Sequence, residues 1–445
     1  MLENLKAKST GLAKKAYDNA NKVKSGVLAK SKNSGGQYLV GLDIGTEYVK
    51  ALIGKVSDED PGEIEIVGVG RCHQGLTDMQ AGAVSDIAAV VKNCDKALTE
   101  AETQAGVSAR TTVIGIAGEL VKGTTTTVKV TRKDATLAID IDEMEKIISV
   151  VQQRAEEKAK QQLTYELGGK SVDVRLVNSA LVSIEIDGYP INNPIGFQGR
   201  DVVVQLYTAF APLIHIGALE KTAQELDLDL LAVAAEPFAV SRAVIGNDPN
   251  QNLSAILMDV GGGTTDIAVI NEGGVQGTKM FGIGGRAYTR SIERVLGVSF
   301  EQAEDLKIKL SSNSLPSQRK PQIESALEKV ADTWVSGIEL ALSEFEKLDH
   351  LPHRMFLCGG GSSLELLLDK LEEGDWFKGL PFTRKPTVHL IRPEQVRGIS
   401  DMTGKVEDHT YITAMGLLRV GMDTSQFATE NTGGIKGRID RMLSV

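Results

Sequence analysis

Two glycine-containing loops, each of which follows an apolar run that ends in aspartate, are the features of the sequence best suited to chemistry. The first reads Asp43-Ile44-Gly45-Thr46, and the second reads Asp259-Val260-Gly261-Gly262-Gly263-Thr264-Thr265-Asp266. Glycine lets backbone amides approach an anion closely, and successive amides in a tight turn form an anion-binding nest. Threonine hydroxyls add donors, and an aspartate at a strand end can hold Mg²⁺ through water. The matched pair predicts a phosphate site between two related halves, with two ordinary glycine-rich turns as the alternative.

Two further glycine-rich stretches precede helical patterns. Gly359-Gly360-Gly361-Ser362-Ser363 follows an apolar run, and residues 281–286, which include Gly284, lead into a helix predicted over residues 287–296. A loop of this kind presents free backbone N–H groups to an anion or a nucleoside. The chain contains neither Gly-x-x-x-x-Gly-Lys-Ser/Thr nor Gly-x-Gly-x-x-Gly, so the sequence predicts neither a Walker-type nor a Rossmann-type site.

The composition of the 445-residue chain excludes several classes of protein. Its formal net charge of -10 argues against nucleic acid as a partner, because phosphate backbones are bound by basic faces. Hydrophobic residues make up 42% and charged residues 24%, which is an ordinary globular composition. The longest apolar runs are far shorter than the ~18–20 residues needed to cross a bilayer, so we expect no transmembrane helix. The three cysteines, Cys72, Cys94 and Cys358, are scattered, which is typical of a reduced cytosolic protein.

The charge of the chain is unevenly distributed. Residues 1–33 carry eight lysines against Glu3 and Asp18, so this arm has a charge of +6 and the rest of the chain has -16. The apolar residues of the arm recur at helical spacing. This pattern predicts either a basic amphipathic helix that contacts an anionic membrane surface or a solvated arm.

The other end of the chain has a similar pattern on a smaller scale. Residues 423–434 are polar and predict a flexible tether. Beyond them, four apolar residues at helical spacing alternate with Lys436, Arg438 and Arg441, namely Ile435, Ile439, Met442 and Leu443. We expect a short basic amphipathic helix that acts as a membrane hook, with an unstructured tail as the alternative.

The three glycine loops together resemble those of the actin-like ATPase superfamily, which includes actin, sugar kinases and the large heat-shock chaperones. Within it, the layout over about residues 38–421 is similar to the bacterial cell-division family FtsA. Further stretches that carry this resemblance are residues 75–86, 113–118, 193–199 and 234–239. The resemblance implies an α/β fold with two lobes, built from duplicated ribonuclease-H-like halves, and an inserted small α+β domain.

The resemblance and the sequence pattern divide the chain into eight parts. These are a basic arm and linker (1–37), the first part of lobe I (38–119), the inserted α+β domain (120–200), the second part of lobe I (201–248), lobe II with a shortened upper subdomain (249–400), a segment closing back toward lobe I (401–422), the tether (423–434) and the basic amphipathic helix (435–445). In the inserted domain we expect a strand over 124–131, a helix capped by Asp142 with Glu145 three residues on, and a hairpin of strands over 171–177 and 181–187.

The resemblance also implies ATP and Mg²⁺ as cofactors and identifies the residues that would contact them. Asp43 and Asp259 would hold Mg²⁺ through water. Glu304 and Lys307 would touch the adenine and ribose, with a solvated helix face as the alternative. The other nucleotide-contacting positions are Asp43, Gly45, Thr46 and Lys50 in the first half, Gly261, Gly262, Gly263, Thr264, Thr265 and Gly284 in the second, and Gly359, Gly360 and Ser362 beside the adenosine.

Glu236 is the one candidate catalytic residue. It precedes Pro237, so it is either a charge at a helix N-terminus or a carboxylate near the metal or the attacking water. Members of the superfamily that resemble this chain bind ATP and often hydrolyse it slowly.

The expected function is an ATP-dependent scaffold of bacterial cell division, held peripherally on anionic lipids at the cytoplasmic face of the inner membrane. Such a protein would self-associate into filaments or dimers and recruit division proteins. Residues 310–321 form only a short polar link where FtsA proteins carry extra strands that grip the tubulin-like protein FtsZ, which leaves an FtsZ contact open. The same shortening resembles the type IV pilus protein PilM and makes pilus assembly an alternative. A small-molecule kinase of the same superfamily is a second alternative.

Overall fold

The computed structural model describes residues 37–429, except residues 61, 246–252, 313, 316 and 317. The predicted basic arm over residues 1–33 and the predicted helix over residues 435–445 lie outside the described residues. The strands are β1 Tyr38–Ile44, β2 Tyr48–Val56, β3 Ile64–His73, β4 Met79–Gln80, β5 Ala83–Val84, β6 Thr111–Ile116, β7 Lys122–Thr131, β8 Val174–Ile186, β9 Tyr189–Pro190, β10 Asp201–Pro212, β11 Asp229–Ala235, β12 Ala255–Val260, β13 Thr265–Asn271, β14 Gly274–Phe281, β15 Arg354–Cys358, β16 Thr387–Leu390 and β17 Ile399–Asp401.

Nine α-helices are present in the described residues. They are α1 Ile87–Ala105, α2 Ile141–Glu166, α3 Leu213–Glu225, α4 Glu236–Ile245, α5 Gly285–Leu296, α6 Phe300–Ser311, α7 Lys320–Ser343, α8 Glu365–Glu373 and α9 Ile412–Thr429. Short 3₁₀ helices span Gly360–Ser363, Trp376–Gly379, Pro393–Gln395 and His409–Tyr411.

Lobe I is built on a six-stranded sheet with the order β11-β6-β1-β2-β3-β17. Strand β1 forms an antiparallel hairpin with β2 and pairs in parallel with β6 on its other side. All but the first of its residues are buried, which fits a central strand covered on both faces. Helix α1 packs on β2 and β3, and α9 packs on β1.

Lobe II repeats this arrangement in strands β16, β15, β12, β13 and β14. They form one part of a nine-stranded sheet with the order β16-β15-β12-β13-β14-β7-β10-β8-β9. Strand β12 forms an antiparallel hairpin with β13 and pairs in parallel with β15. The two lobes therefore share one pattern of hairpin plus parallel strand. This confirms the prediction of a two-lobed α/β fold with duplicated halves.

The lobes are joined at their base by a shared hydrophobic cluster. It contains residues of β1 and β2, such as Leu39 and Leu52, together with Leu257 of β12 and Leu418 of α9. A separate cluster around the fully buried Trp334 fills lobe II between its sheet and α5, α7 and α8. Because the base is packed as a common core, the loops at the other ends of the strands keep a fixed relation to it.

The inserted domain differs in three details from the expectation. Strand β8 is continuous over Val174–Ile186 and pairs along its length with β10, so the predicted hairpin over 171–177 and 181–187 is wrong. Residues 178–180 contain no backbone with positive φ, which a tight turn between two strands usually needs. The cap of α2 is Asp140, which accepts from the N–H of Glu143, rather than Asp142. The sheet of this domain also continues into lobe II through β7 and β14.

The final helix is longer than the sequence pattern indicates. Helix α9 runs to Thr429, so residues 423–429 are helical, and the predicted tether does not begin at Asp423. The Asp423 carboxylate lies 2.8 Å from Arg242 Nη2 of α4 and 3.1 Å from Arg419 Nε one turn earlier. These ion pairs explain why a polar stretch remains in the helix.

The upper part of lobe II is formed by α5, α6 and α7. The described residues between α6 and α7 contain no strand, in keeping with the predicted short link. In the part of the chain that the structure describes, no helix is long and apolar enough to span a bilayer.

Candidate functional site

The two glycine loops approach each other closely in the cleft between the lobes. A Cβ atom placed on Gly262 would lie 2.8 Å from Cβ of Glu47, and one on Gly263 would lie 2.8 Å from Oγ1 of Thr46. Real Cβ atoms do not approach other atoms so closely. Glycine at these two positions therefore lets the loop after β12 approach the loop after β1 without a side chain between them.

Four carboxylates gather beneath these loops. Asp43 and Asp259 lie next to the ends of β1 and β12, Asp266 follows on β13, and Glu236 begins α4. Each of the four is at most 8% exposed. Lys50 of β2 lies opposite Asp43 in the hairpin, and its Nζ atom is 2.9 Å from Asp43 Oδ2. A buried group of acids with one lysine ion-paired to it is an arrangement suited to a bound cation.

The pKa values of these groups reflect burial and mutual repulsion. Burial raises the pKa of Glu236 well above its usual value, and the charges of Asp43, Asp266 and Asp259 raise it further. Burial likewise raises the pKa of Asp266 and of Asp259. Burial alone would lower the pKa of Lys50, but the neighbouring carboxylates outweigh it, so the pKa of Lys50 is raised and its charge is held. A further positive charge beside these carboxylates would therefore stabilise the cluster.

Polar contacts around the cluster are incomplete. Asp266 Oδ1 is buried and has no hydrogen-bond partner, whereas Asp259 Oδ2 accepts from the hydroxyl of Thr413 in α9. Within the described part of the chain, no three His, Cys, Asp or Glu side chains form a metal-binding group. A divalent ion here would depend on water and ligand oxygens for most of its coordination, which is how Mg²⁺ usually binds.

The third glycine loop closes the site behind Asp259. Gly359 has a φ of 82°, and a Cβ atom on it would overlap with Asp259 Oδ1, so both its conformation and its surroundings require glycine. Ser362 is buried, and its hydroxyl lies 2.6 Å from the Gly359 carbonyl oxygen and 2.9 Å from that of Cys358. Gly360 is exposed, with no atom within 4 Å of a Cβ placed on it. That open space leaves Gly360 accessible to a ligand.

Glu304 and Lys307 lie on α6 and contact the first turn of α5. Lys307 Nζ donates to the Gly285 carbonyl oxygen at 3.1 Å, to Thr289 Oγ1 at 2.8 Å and to Glu304 at 2.7 Å. Glu304 also accepts from the hydroxyl of Thr289. Both side chains are mostly shielded from solvent. Glu304 and Lys307 therefore form an ordered polar surface on α6, the polar wall, and not a solvated helix face.

The remaining predicted residues lie in or next to the first two glycine loops, but not all of them face the space between the loops. Thr46 and Thr264 are at the tips of the loops, and Gly45 shapes the first turn by donating from its N–H to the Tyr48 carbonyl oxygen. Thr265 differs from the expectation, because its hydroxyl donates to Ile283 and accepts from Trp334 Nε1 within lobe II. A Cβ atom on Gly284 would lie 2.6 Å from the Gly261 carbonyl oxygen, so Gly284 supports the second loop from below.

Sequence reasoning assigned no role to three residues of the site. Asp266 directly follows the Gly-Gly-Gly-Thr-Thr run and lies on the strand after that of Asp259. This position could have identified it as a second acid of the site. Glu47 and Arg286 follow glycine loops in opposite lobes and form an ion pair of 2.6 Å. No local pattern predicts that pair, because the two residues are distant in sequence.

Comparison with known proteins agrees with the predicted resemblance and with the fold. The family model for cell division protein FtsA matches residues 256–416. The FtsA of Pseudomonas aeruginosa is 27% identical over 409 residues, which cover 87% of this chain and 90% of that protein. The FtsA of Neisseria meningitidis serogroup B is 30% identical over 61% of each chain.

Among solved structures, a chain of the PilM-PilN type IV pilus biogenesis complex superposes with a TM-score of 0.61 at 16% identity. The match covers 86% of this chain and 98% of the other. At that identity the match shows the fold alone. The chain therefore has the fold of the actin-like ATPases, and over most of its length its sequence is similar to cell division protein FtsA.

Proposed function

We propose that this protein binds ATP and Mg²⁺ between its lobes and serves as a membrane-associated, actin-like scaffold of bacterial cell division. The observation that carries the nucleotide site is the buried carboxylate cluster, with Lys50 beside it, directly beneath two facing glycine loops. The resemblance to FtsA proteins supports the proposed role in cell division.

The residues of the site suit the parts of the nucleotide. The amides of the two loops and the Lys50 ammonium would bind the phosphates. The polar wall of Glu304 and Lys307 would bind the nucleoside, with Gly359, Gly360 and Ser362 on its other side. Asp43, Asp259 and Asp266 would face Mg²⁺ through water, and the unpartnered Asp266 Oδ1 supports such a role. Mg²⁺ would offset the combined negative charge of the phosphates and carboxylates.

We expect Glu304→Ala to weaken ATP binding about tenfold, since hydrogen bonds to charged groups contribute about 1.5–3 kcal/mol. Titration with a fluorescent ATP analogue measures the effect. Asp305→Ala is the matched control, because Asp305 is exposed on the same helix and pairs only with Lys309 one turn on among the contacts described. Equal ATP affinities of the two variants would contradict a contact between the polar wall and the nucleoside.

Glu236→Gln separates the two interpretations of this buried acid. If Glu236 orients the attacking water, the variant should keep its ATP affinity within about threefold and lose at least about 100-fold in ATP turnover. If Glu236 is only a charge at the start of α4, turnover should be unchanged. Phosphate release under single-turnover conditions measures the difference.

The membrane role rests on the basic ends of the sequence and on the resemblance to FtsA. It is tested by co-sedimentation with anionic phosphatidylglycerol vesicles, with ATP and with ADP, for the full chain, for a chain that ends at Thr429 and for a chain that begins at Gln37. Pelleting that requires residues 430–445 would support the C-terminal hook. Pelleting that requires residues 1–36 would assign the anchor to the arm. No pelleting of the full chain would contradict membrane association.

Self-association and recruitment of division proteins are further parts of the proposal. The inserted domain is the surface that the FtsA resemblance assigns to contacts between subunits and with later division proteins. Electron microscopy of the full chain on lipid monolayers with ATP tests for filaments. Binding to FtsZ is tested by co-pelleting, and the strandless link between α6 and α7 predicts a weaker contact than in FtsA proteins that carry strands there.

A role in pilus assembly is a second candidate, because the fold match to the PilM-PilN complex covers 98% of that chain. Deletion of the gene distinguishes the two. Long undivided cells would support the division role, whereas normal division with loss of surface pili would support the pilus role.

A further inference from the structure

One arginine connects the two phosphate-facing loops. Arg286, in the first turn of α5, donates from its backbone N–H to the Gly262 carbonyl oxygen at 2.8 Å. Its side chain crosses to lobe I, where Nη2 lies 2.7 Å from the Thr46 carbonyl oxygen. A single residue thus holds the second loop with its backbone and the first loop with its side chain.

The guanidinium is anchored at several points in lobe I. Its Nε atom lies 2.6 Å from Glu47 Oε2, and Nη1 and Nη2 lie 3.3 Å and 3.4 Å from the carbonyl oxygens of Leu76 and Gly75. The other carboxylate oxygen of Glu47 is 2.7 Å from His73 Nε2. Such a fork of donors suits arginine and not lysine, because only a guanidinium presents several N–H groups in fixed directions.

The position of this contact matters as much as its geometry. The Arg286 side chain is only 10% exposed and that of Glu47 only 19%, so the ion pair is poorly screened by solvent. The hydrophobic cluster joins the lobes at the base of the cleft, whereas the Arg286 contacts join them at the loops. Opening of the cleft would break the contacts to Glu47, Thr46, Gly75 and Leu76 while the base stayed packed.

We propose that Arg286 is a positioning residue that holds the two glycine loops together over bound phosphates and thereby slows nucleotide release. The inference rests on the proposed nucleotide site. Arg286 also connects this closure to the polar wall, because the carbonyl of the preceding residue, Gly285, accepts from Lys307.

The test is the rate at which a bound fluorescent ATP analogue is displaced by excess ATP in the presence of Mg²⁺. We expect Arg286→Ala to release the analogue at least about tenfold faster, which corresponds to about 1.4 kcal/mol, with association within about threefold of the wild type. Arg290→Ala is the matched control. Arg290 lies one turn later on α5, is exposed and packs over Phe300 within lobe II, so its removal should leave release unchanged.

Four results decide between the possible outcomes. Release from Arg286→Ala at the wild-type rate would overturn the inference alone, whereas a wild type that fails to bind the analogue would overturn the nucleotide site as well. A purely structural role would lower the unfolding midpoint of Arg286→Ala below that of Arg290→Ala without faster release. If Arg286→Ala does not fold, Glu47→Gln keeps the shape of the site, and release less than about threefold faster would count against the inference.

Discussion

Gly262→Asp should abolish ATP binding, with the dissociation constant raised at least about 100-fold. A carboxylate at this position would lie between the two loops, where a Cβ atom alone already meets Glu47 at 2.8 Å. It would also place a negative charge beside the phosphates, and two like charges 4 Å apart repel by about 4 kcal/mol at the effective dielectric constant of a protein surface. Steric and electrostatic effects act in the same direction.

The measurement is equilibrium titration with a fluorescent ATP analogue, with circular dichroism as a check on folding. Gly217→Asp is the control, because Gly217 is exposed on α3 and has no atom within 4 Å of a Cβ placed on it. It adds the same charge to lobe I outside the cleft and should bind ATP as the wild type does. Unchanged affinity in Gly262→Asp would remove the second loop from the site.

The loops and the strands that carry them could be predicted from the sequence because both signals are local. An apolar run followed by aspartate and glycine specifies a strand and a turn without reference to the rest of the chain. Strands β1 and β12 end one residue after Asp43 and Asp259, the aspartates that close the two apolar runs. Family resemblance supplied the topology, which local patterns cannot provide.

What the sequence did not predict depends on contacts between distant segments. Strand β8 continues through residues 178–180 because β10 pairs with it on both sides of that point, and Asn178 there accepts from the N–H of Ala235 in β11. Helix α9 continues beyond Asp423 because Arg242, on another helix, supplies an opposite charge. Local propensity indicated a turn and a tether, and tertiary contacts overrode both.

The same reasoning applies inside the site. Thr265 was expected to face the phosphates, but alternation along β13 directs its hydroxyl to Trp334 on α7. Glu47 and Arg286 were missed because their role depends on the ion pair between them, which forms only when the two lobes pack together. Residues that act through a partner in the other half of the molecule leave no periodic signal in either half.

Lys50→Met should lower the free energy of unfolding of the nucleotide-free protein by about 3–5 kcal/mol, the usual cost of removing one partner of a buried ion pair. Lys50 lies 2.9 Å from Asp43, with Asp259 nearby. Methionine fills a similar volume, so the loss would report the charge and not a cavity. Urea denaturation measures the change, and the added stability from Mg²⁺ and ATP should be smaller in the variant because a phosphate contact is lost.

The deficit of this variant should also depend on pH. Burial raises the pKa of Glu236 and of Asp259, and Lys50 partly lowers both. Without Lys50 the two pKa values rise further in the folded state, so the folded protein binds more protons than the unfolded chain over a wider range of pH. The stability of the variant then falls more steeply with rising pH than that of the wild type, so the difference between them should shrink as the pH is lowered.

Two further variants show whether the charge or its position is responsible. Lys50→Arg retains the charge and should lose less stability than Lys50→Met. Lys55→Met removes a lysine from the other end of the same strand, where it pairs with the exposed Asp58, and should leave the urea midpoint unchanged. If Lys50→Met were as stable as Lys55→Met at every pH, the four acids would not depend on Lys50. The electrostatic argument for a cation-binding cluster between the lobes would then fail.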